Sequence, residues 1–163
     1  MISLVHDLKP NCHGLSRGSA QAGRAPAGSG PHQGQREICP VRTVVVDDSP
    51  AVLKLLSIFL EEQPDFQLVG TATDGLNAVR RVVELQPDLV LMDMQLPGMN
   101  GLEATRQIKA RAEAPTVIMV TADDTPQCRD QARAAGIDAF VAKLHMLSQL
   151  HRALKRLFPD RRL

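Results

Sequence analysis

Four times in this chain an apolar run stops abruptly at a polar side chain. Val44, Val45 and Val46 run into Asp47 and Asp48; residues 89–92, after Asp88, run into Asp93; residues 115–120 run into Thr121; residues 139–142, after Asp138, run into Lys143. Runs of β-branched and aliphatic residues without alternation suit strands covered on both faces, because each successive side chain points to the opposite side of the sheet. A sheet covered on both faces needs helices above and below it. In such a sheet the carboxyl ends of parallel strands share one edge, where open α/β folds hold their ligands.

The segments between the runs supply the helices. Ser49 and Pro50 open the first one, as N-cap and first-turn residue. Val52, Leu55, Leu56 and Phe59 recur at i, i+3, i+4 and i+7, which puts an apolar stripe on one face. Pro64 ends that helix and residues 66–71 read as a strand. Asp74 caps a second helix carrying Ala78, Val79, Val82 and Val83, which stops before Pro87. After the strand at 88–93 comes a loop of turn formers, 94–101, then a third helix over about 102–111. A fourth helix spans about 126–135, closed by Gly136. The last one sets Leu147, Leu150, Leu154 and Leu157 on one side, with Pro159 near its end. Five strand–helix units in sequence imply a parallel sheet with right-handed crossovers. No Gly-rich dinucleotide fingerprint follows the first strand and no P-loop is present.

Composition narrows the chemistry. With 19 basic and 18 acidic residues the net charge is +1, which gives no reason to expect a nucleic-acid or membrane surface. No apolar run approaches the ~18–20 residues of a membrane span. Cys12, Cys39 and Cys128 are far apart and odd in number; they suggest neither a disulfide framework nor a zinc site, and a cytoplasmic location is expected. Residues 1–40 form a Gly-, Pro- and Ser-rich stretch without periodicity, expected to be a disordered extension. His6, Cys12 and His13 within it match no closed metal site, and translation beginning near Val41 is a second account of the abrupt change in composition.

The polar residues at the strand ends make one set. Singly, a strand-end Asp is an ordinary helix cap and a Lys an ordinary surface residue. Together, three carboxylates suit a hard divalent cation such as Mg²⁺, and a hydroxyl and an ammonium add a donor and a positive charge. That combination fits a phosphoryl group bound to, or transferred onto, a carboxylate.

Residues 42–158 resemble the receiver domain of two-component response regulators. The resemblance rests on Val-Val-Val-Asp47-Asp48-Ser, Asp74-Gly75, the stretch from Pro87 through Asp93 to Pro97-Gly98 and Gly101, Thr121-Ala122, and Lys143. It implies a flavodoxin-like (βα)5 sandwich, sheet order 2-1-3-4-5, over residues 41–160. It implies Asp93 as phosphoacceptor. Asp48, Asp93 and the Gln95 carbonyl would hold Mg²⁺ directly and Asp47 through water. Lys143 and Thr121 would contact phosphoryl oxygens, and Phe140 would be the aromatic switch that follows Thr121. Gln95 and Ala122, bordering the path of attacking water, would set the lifetime of the phosphorylated state. Leu144 stands where many family members have Pro, often after a cis peptide.

The partners so implied are a sensor histidine kinase or a histidine phosphotransfer protein, with no direct nucleic-acid or membrane contact. Only residues 159–163 follow the last helix, so a stand-alone regulator is expected, a phosphoacceptor rather than an enzyme, signalling through a protein contact on the 125–158 face. Lys155, Arg156, Arg161 and Arg162 read as helix-end charges and a solvated tail. The alternatives are a phosphorelay intermediate and a phosphate-independent pseudo-receiver. An aspartate-nucleophile phosphatase of the haloacid dehalogenase type is more remote, since Asp47-Asp48 does not match its Asp-x-Asp pattern.

Overall fold

The computed structural model describes residues 39–163, so the expectations for residues 1–38, His6, Cys12 and His13 among them, lie outside the described residues. The elements alternate strictly: β1 (Val41–Val46), α1 (Pro50–Glu61), β2 (Phe66–Ala72), α2 (Gly75–Leu85), β3 (Leu89–Asp93), α3 (Gly101–Lys109), β4 (Thr116–Thr121), α4 (Pro126–Ala134), β5 (Ala139–Ala142) and α5 (Met146–Leu157). A 3-10 turn, Lys143–His145, joins β5 to α5. All strand pairs are parallel and the order is β2-β1-β3-β4-β5, the flavodoxin-like arrangement expected from the sequence.

The uninterrupted apolar runs now have a physical account. Val45, Leu89, Leu91, Ile118 and Val120 enter a core with Leu56, Leu60, Leu150 and Leu154 of α1 and α5. Their neighbours Val44, Val46, Val90, Met92, Val117 and Met119 enter a second core with α2, α3 and α4, through Ala78, Val82, Ala104, Ile108 and Ala132. The middle of each central strand is therefore apolar on both faces, and β3 is buried throughout.

The helix stripes were read less accurately. Leu55 and Val83 each prove more than two-fifths exposed and Leu147 is also exposed, while Leu60, outside the expected stripe, is fully buried. Three apolar residues in four consecutive positions leave the phase of a helix ambiguous by about one residue, or 100°. The tail also differs from expectation. Phe158 packs edge-on against Phe66 at 5.7 Å, and Arg162 donates its backbone N–H and its guanidinium to the buried carboxylate of Asp65. Cys128 is a free thiol, but Cys39 is disulfide-bonded, against the reading of the cysteines from their spacing. Among the described residues no helix is long and apolar enough to cross a membrane.

Candidate functional site

β1, β3 and β4 end at the same edge of the sheet, and each ends in the same small turn. Asp47 Oδ1 accepts the N–H of Ser49 at 2.9 Å, Asp93 Oδ1 accepts that of Gln95 at 3.3 Å, and Thr121 Oγ1 accepts that of Asp123 at 3.2 Å. Short oxygen-bearing side chains cap the backbone two residues ahead in this way. The turn fixes one oxygen of each carboxylate and directs the other into the cleft. Sequence reasoning found the residues but missed the turn, whose signal is the repeated Asp or Thr at the last strand position or just after it. Ser49, expected to cap α1, makes no side-chain cap bond; Asp47 serves its N–H instead.

The expected residues do converge. One oxygen each from Asp47, Asp48 and Asp93 lie within 4.8 Å of one another. Lys143 Nζ reaches between them, 2.7 Å from Asp47 Oδ2 and 2.9 Å from Asp93 Oδ2. Asp47 and Asp93 are buried, at 1% and 3% exposure, whereas Asp48 is open to solvent. Burial pushes the Asp93 carboxyl above the ordinary carboxylate range; the Lys143 hydrogen bond opposes this and the Asp47 charge adds to it. Burial also pulls on the Lys143 ammonium, but the adjacent carboxylates of Asp47 and Asp93 outweigh that and hold its pKa above the usual lysine value.

Thr121 is fully buried at the end of β4, and its hydroxyl hydrogen has no acceptor among the described residues. Gln95 is exposed and its carbonyl accepts no hydrogen bond among the described residues. Ala122 is exposed beside Thr121. Phe140 lies on β5, half-buried, with the Arg129 guanidinium 4.7 Å from its ring centroid; Arg129 in turn pairs with Asp124. No peptide bond among the described residues is cis, and Leu144 is 85% exposed on the 3-10 turn.

The residues fit a divalent cation. Asp47 Oδ2 is buried and, although the Lys143 ammonium stands beside it, receives no hydrogen bond of acceptable geometry. Three carboxylates against one ammonium leave two negative charges in the cleft, all on hard oxygen donors, the preference of Mg²⁺.

The parallel doubly wound sheet thus gathers three carboxylates, a threonine and a lysine at its strand ends. Residues 43–155 match the response regulator receiver domain, and the chain belongs to that family. It is 38% identical over 101 residues to a protein-glutamate methylesterase/protein-glutamine glutaminase of Koribacter versatilis, covering 62% of this chain and 28% of that protein. It is 44% identical over 81 residues to the transcriptional regulatory protein LiaR of Bacillus subtilis, covering 50% of this chain and 38% of the relative. The chain thus spans about a third of the length of these relatives. The response regulator domain of Thermotoga maritima CheB superimposes with a TM-score of 0.63 at 34% identity, over 72% of this chain and 91% of that one.

Proposed function

We propose that the chain accepts a phosphoryl group on Asp93 from a sensor histidine kinase or a histidine phosphotransfer protein and signals by a phosphorylation-dependent protein contact. The observation that supports it best is Asp93 Oδ2, buried at a strand end beside Asp47 and Asp48 and hydrogen-bonded by Lys143 at 2.9 Å. In the reaction the Asp93 carboxylate attacks phosphorus, the bond from phosphorus to the donor imidazole nitrogen breaks, and an acyl phosphate remains. Asp48, Asp93 and the Gln95 carbonyl would hold Mg²⁺, with Asp47 behind them; the cation, when bound, supplies positive charge against the incoming phosphoryl oxygens. Lys143 leaves its place between the carboxylates to pair with one phosphoryl oxygen, and the unused hydroxyl hydrogen of Thr121 is donated to another. Drawing Thr121 inward frees space for the Phe140 ring to follow, which changes the surface of residues 125–158. Those residues are the proposed output surface. The domain is a phosphoacceptor working in the cytoplasm, and whatever turnover it has is the gain and loss of its own phosphoryl group.

Intact mass after incubation with Mg²⁺ and acetyl phosphate tests this reading. A gain of one phosphoryl mass, absent in Asp93→Asn and lost with chelator, is expected. No gain from acetyl phosphate or from a cognate kinase would leave a phosphate-independent binding domain.

A further inference from the structure

Helix α5 carries Arg152, Lys155 and Arg156 and no acidic residue, in a chain whose net charge is only +1. Among the described residues none of the three makes an ion pair. Arg152 donates from Nε to the Ser148 carbonyl at 3.4 Å, and Arg156 from Nη2 to the Asp138 carbonyl at 3.0 Å. Arg152 and Arg156 stand at i and i+4, one turn apart on one face, where like charges repel. They line an open groove of about 310 Å³ with Ala139, Phe140, Gln149 and Ala153.

The other wall of that groove is the edge of the sheet, since β5 is an outermost strand. Its two ends are closed by side chains of α5. The Ala142 N–H donates to Gln149 Oε1 at 2.9 Å, and the Asp138 carbonyl accepts from Arg156. Both groups point away from β4, and peptide groups two residues apart on a strand share a direction. Phe140, midway between them, therefore turns its N–H and C=O toward the groove. Side chains of α5 engage the edge at the Asp138 carbonyl and the Ala142 N–H, and among the described residues none engages the peptide groups of Phe140 between them.

We propose that the groove binds an extended acidic segment of a partner protein, its main chain pairing with Phe140 and its carboxylates, at alternate positions, meeting Arg152 and Arg156. This rests on reading residues 125–158 as the output surface and names the chemistry of what docks there. The spacings agree: alternate residues of a strand lie about 6.6 Å apart, and a four-residue step along a helix is about 6 Å. Guanidinium and carboxylate pair through two parallel hydrogen bonds, which fixes register as well as sign. The apolar floor of Ala139 and Ala153 and the single open peptide unit favour a polypeptide over a nucleic-acid backbone, which offers no main-chain donor to the Phe140 carbonyl.

The test uses the full chain and a fluorescein-labelled Glu-Val-Glu-Val-Glu peptide, with Lys-Val-Lys-Val-Lys and a short duplex DNA as comparisons. Anisotropy is expected to rise with the acidic peptide alone and to weaken with added salt. Arg152→Gln combined with Arg156→Gln is expected to lower its affinity at least about tenfold, and the Phe140 amide should shift and exchange more slowly in the ¹⁵N spectrum. No binding, equal binding by the variant, or binding that leaves the Phe140 amide unchanged would overturn the proposal. Tighter binding of the duplex, lost in the same variant, would overturn it in favour of a nucleic-acid surface. Should the variant fold poorly, the wild-type salt dependence and amide shifts decide alone. Acetyl phosphate labelling of the same samples reports on Asp93 separately, so failure of the groove and failure of the phosphoacceptor reading are distinguishable.

Discussion

Replacing Gly101 by Ala should displace Asp93, the proposed phosphoacceptor, without changing its side chain. Gly101 is the first residue of α3, and a methyl group there would lie 1.8 Å from the Asp93 carbonyl oxygen, where real side chains keep at least 3.0 Å. The obstacle is backbone, so α3 and the end of β3 must part by about 1.2 Å. Overpacking of this kind costs about 1–3 kcal/mol, a fall in Tm of about 2–12 °C for a chain of this size. The same displacement carries the Asp93 carboxylate away from Lys143 and from Asp47 and Asp48, and a 1 Å misplacement can slow a reaction by about 100-fold. Thermal unfolding by circular dichroism and the rate of acetyl phosphate labelling by mass read the two effects. Gly98→Ala is the control: its φ of +70° strains an alanine, but nothing lies within 4 Å of the new methyl. It should cost about 1 kcal/mol and leave labelling unchanged. If Gly101→Ala melts with the wild type and labels at the wild-type rate, the close approach does not position Asp93.

Mg²⁺ should raise Tm, by about 2.7 kcal/mol of stability at a concentration of 100 times its Kd, and Asp47→Asn should blunt that rise; equal shifts in both proteins, read by scanning calorimetry, would count against the acidic site. Asp93→Asn without metal should be at least as stable as the wild type, because the raised pKa means that burying this charge opposes folding; urea denaturation at neutral pH checks it. The pH profile of that opposition has a definite sign. A carboxyl raised in the folded state costs stability as pH climbs past its unfolded value of 3.8, so the gap between Asp93→Asn and wild type should close below that pH. Lys143 behaves in the opposite range: its raised pKa contributes stability that is complete below 10.5 and lost as pH rises through the higher folded value, so Lys143→Met should remove that alkaline loss in a pH-dependent melt.

The sheet was legible because both-face burial writes itself into the sequence as unbroken runs such as Val44–Val46 and residues 89–92. The site was legible for a related reason: a parallel sheet brings strand ends together, so the residues after each run had to meet. The phase of α1 was harder, since Leu55, Leu56, Ile58, Phe59 and Leu60 are all apolar and only packing decides that Leu56 and Leu60 face inward. Arg162 was unreadable as a partner of Asp65 because 97 residues separate them and no local pattern encodes such a pair. The free space at glycines was equally hidden; nothing near Gly101 in sequence announces that the Asp93 carbonyl will lie against it.

The turn that closes β3 makes the two oxygens of Asp93 chemically inequivalent. Oδ1 is engaged by the Gln95 amide and Oδ2 by the Lys143 ammonium. In a free carboxylate a half-rotation exchanges the two atoms at no cost; here it would break both bonds at once. An acyl phosphate formed on Asp93, as proposed, would therefore have a defined regiochemistry, with phosphorus on Oδ2 at the lysine side and the carbonyl oxygen Oδ1 kept against the backbone.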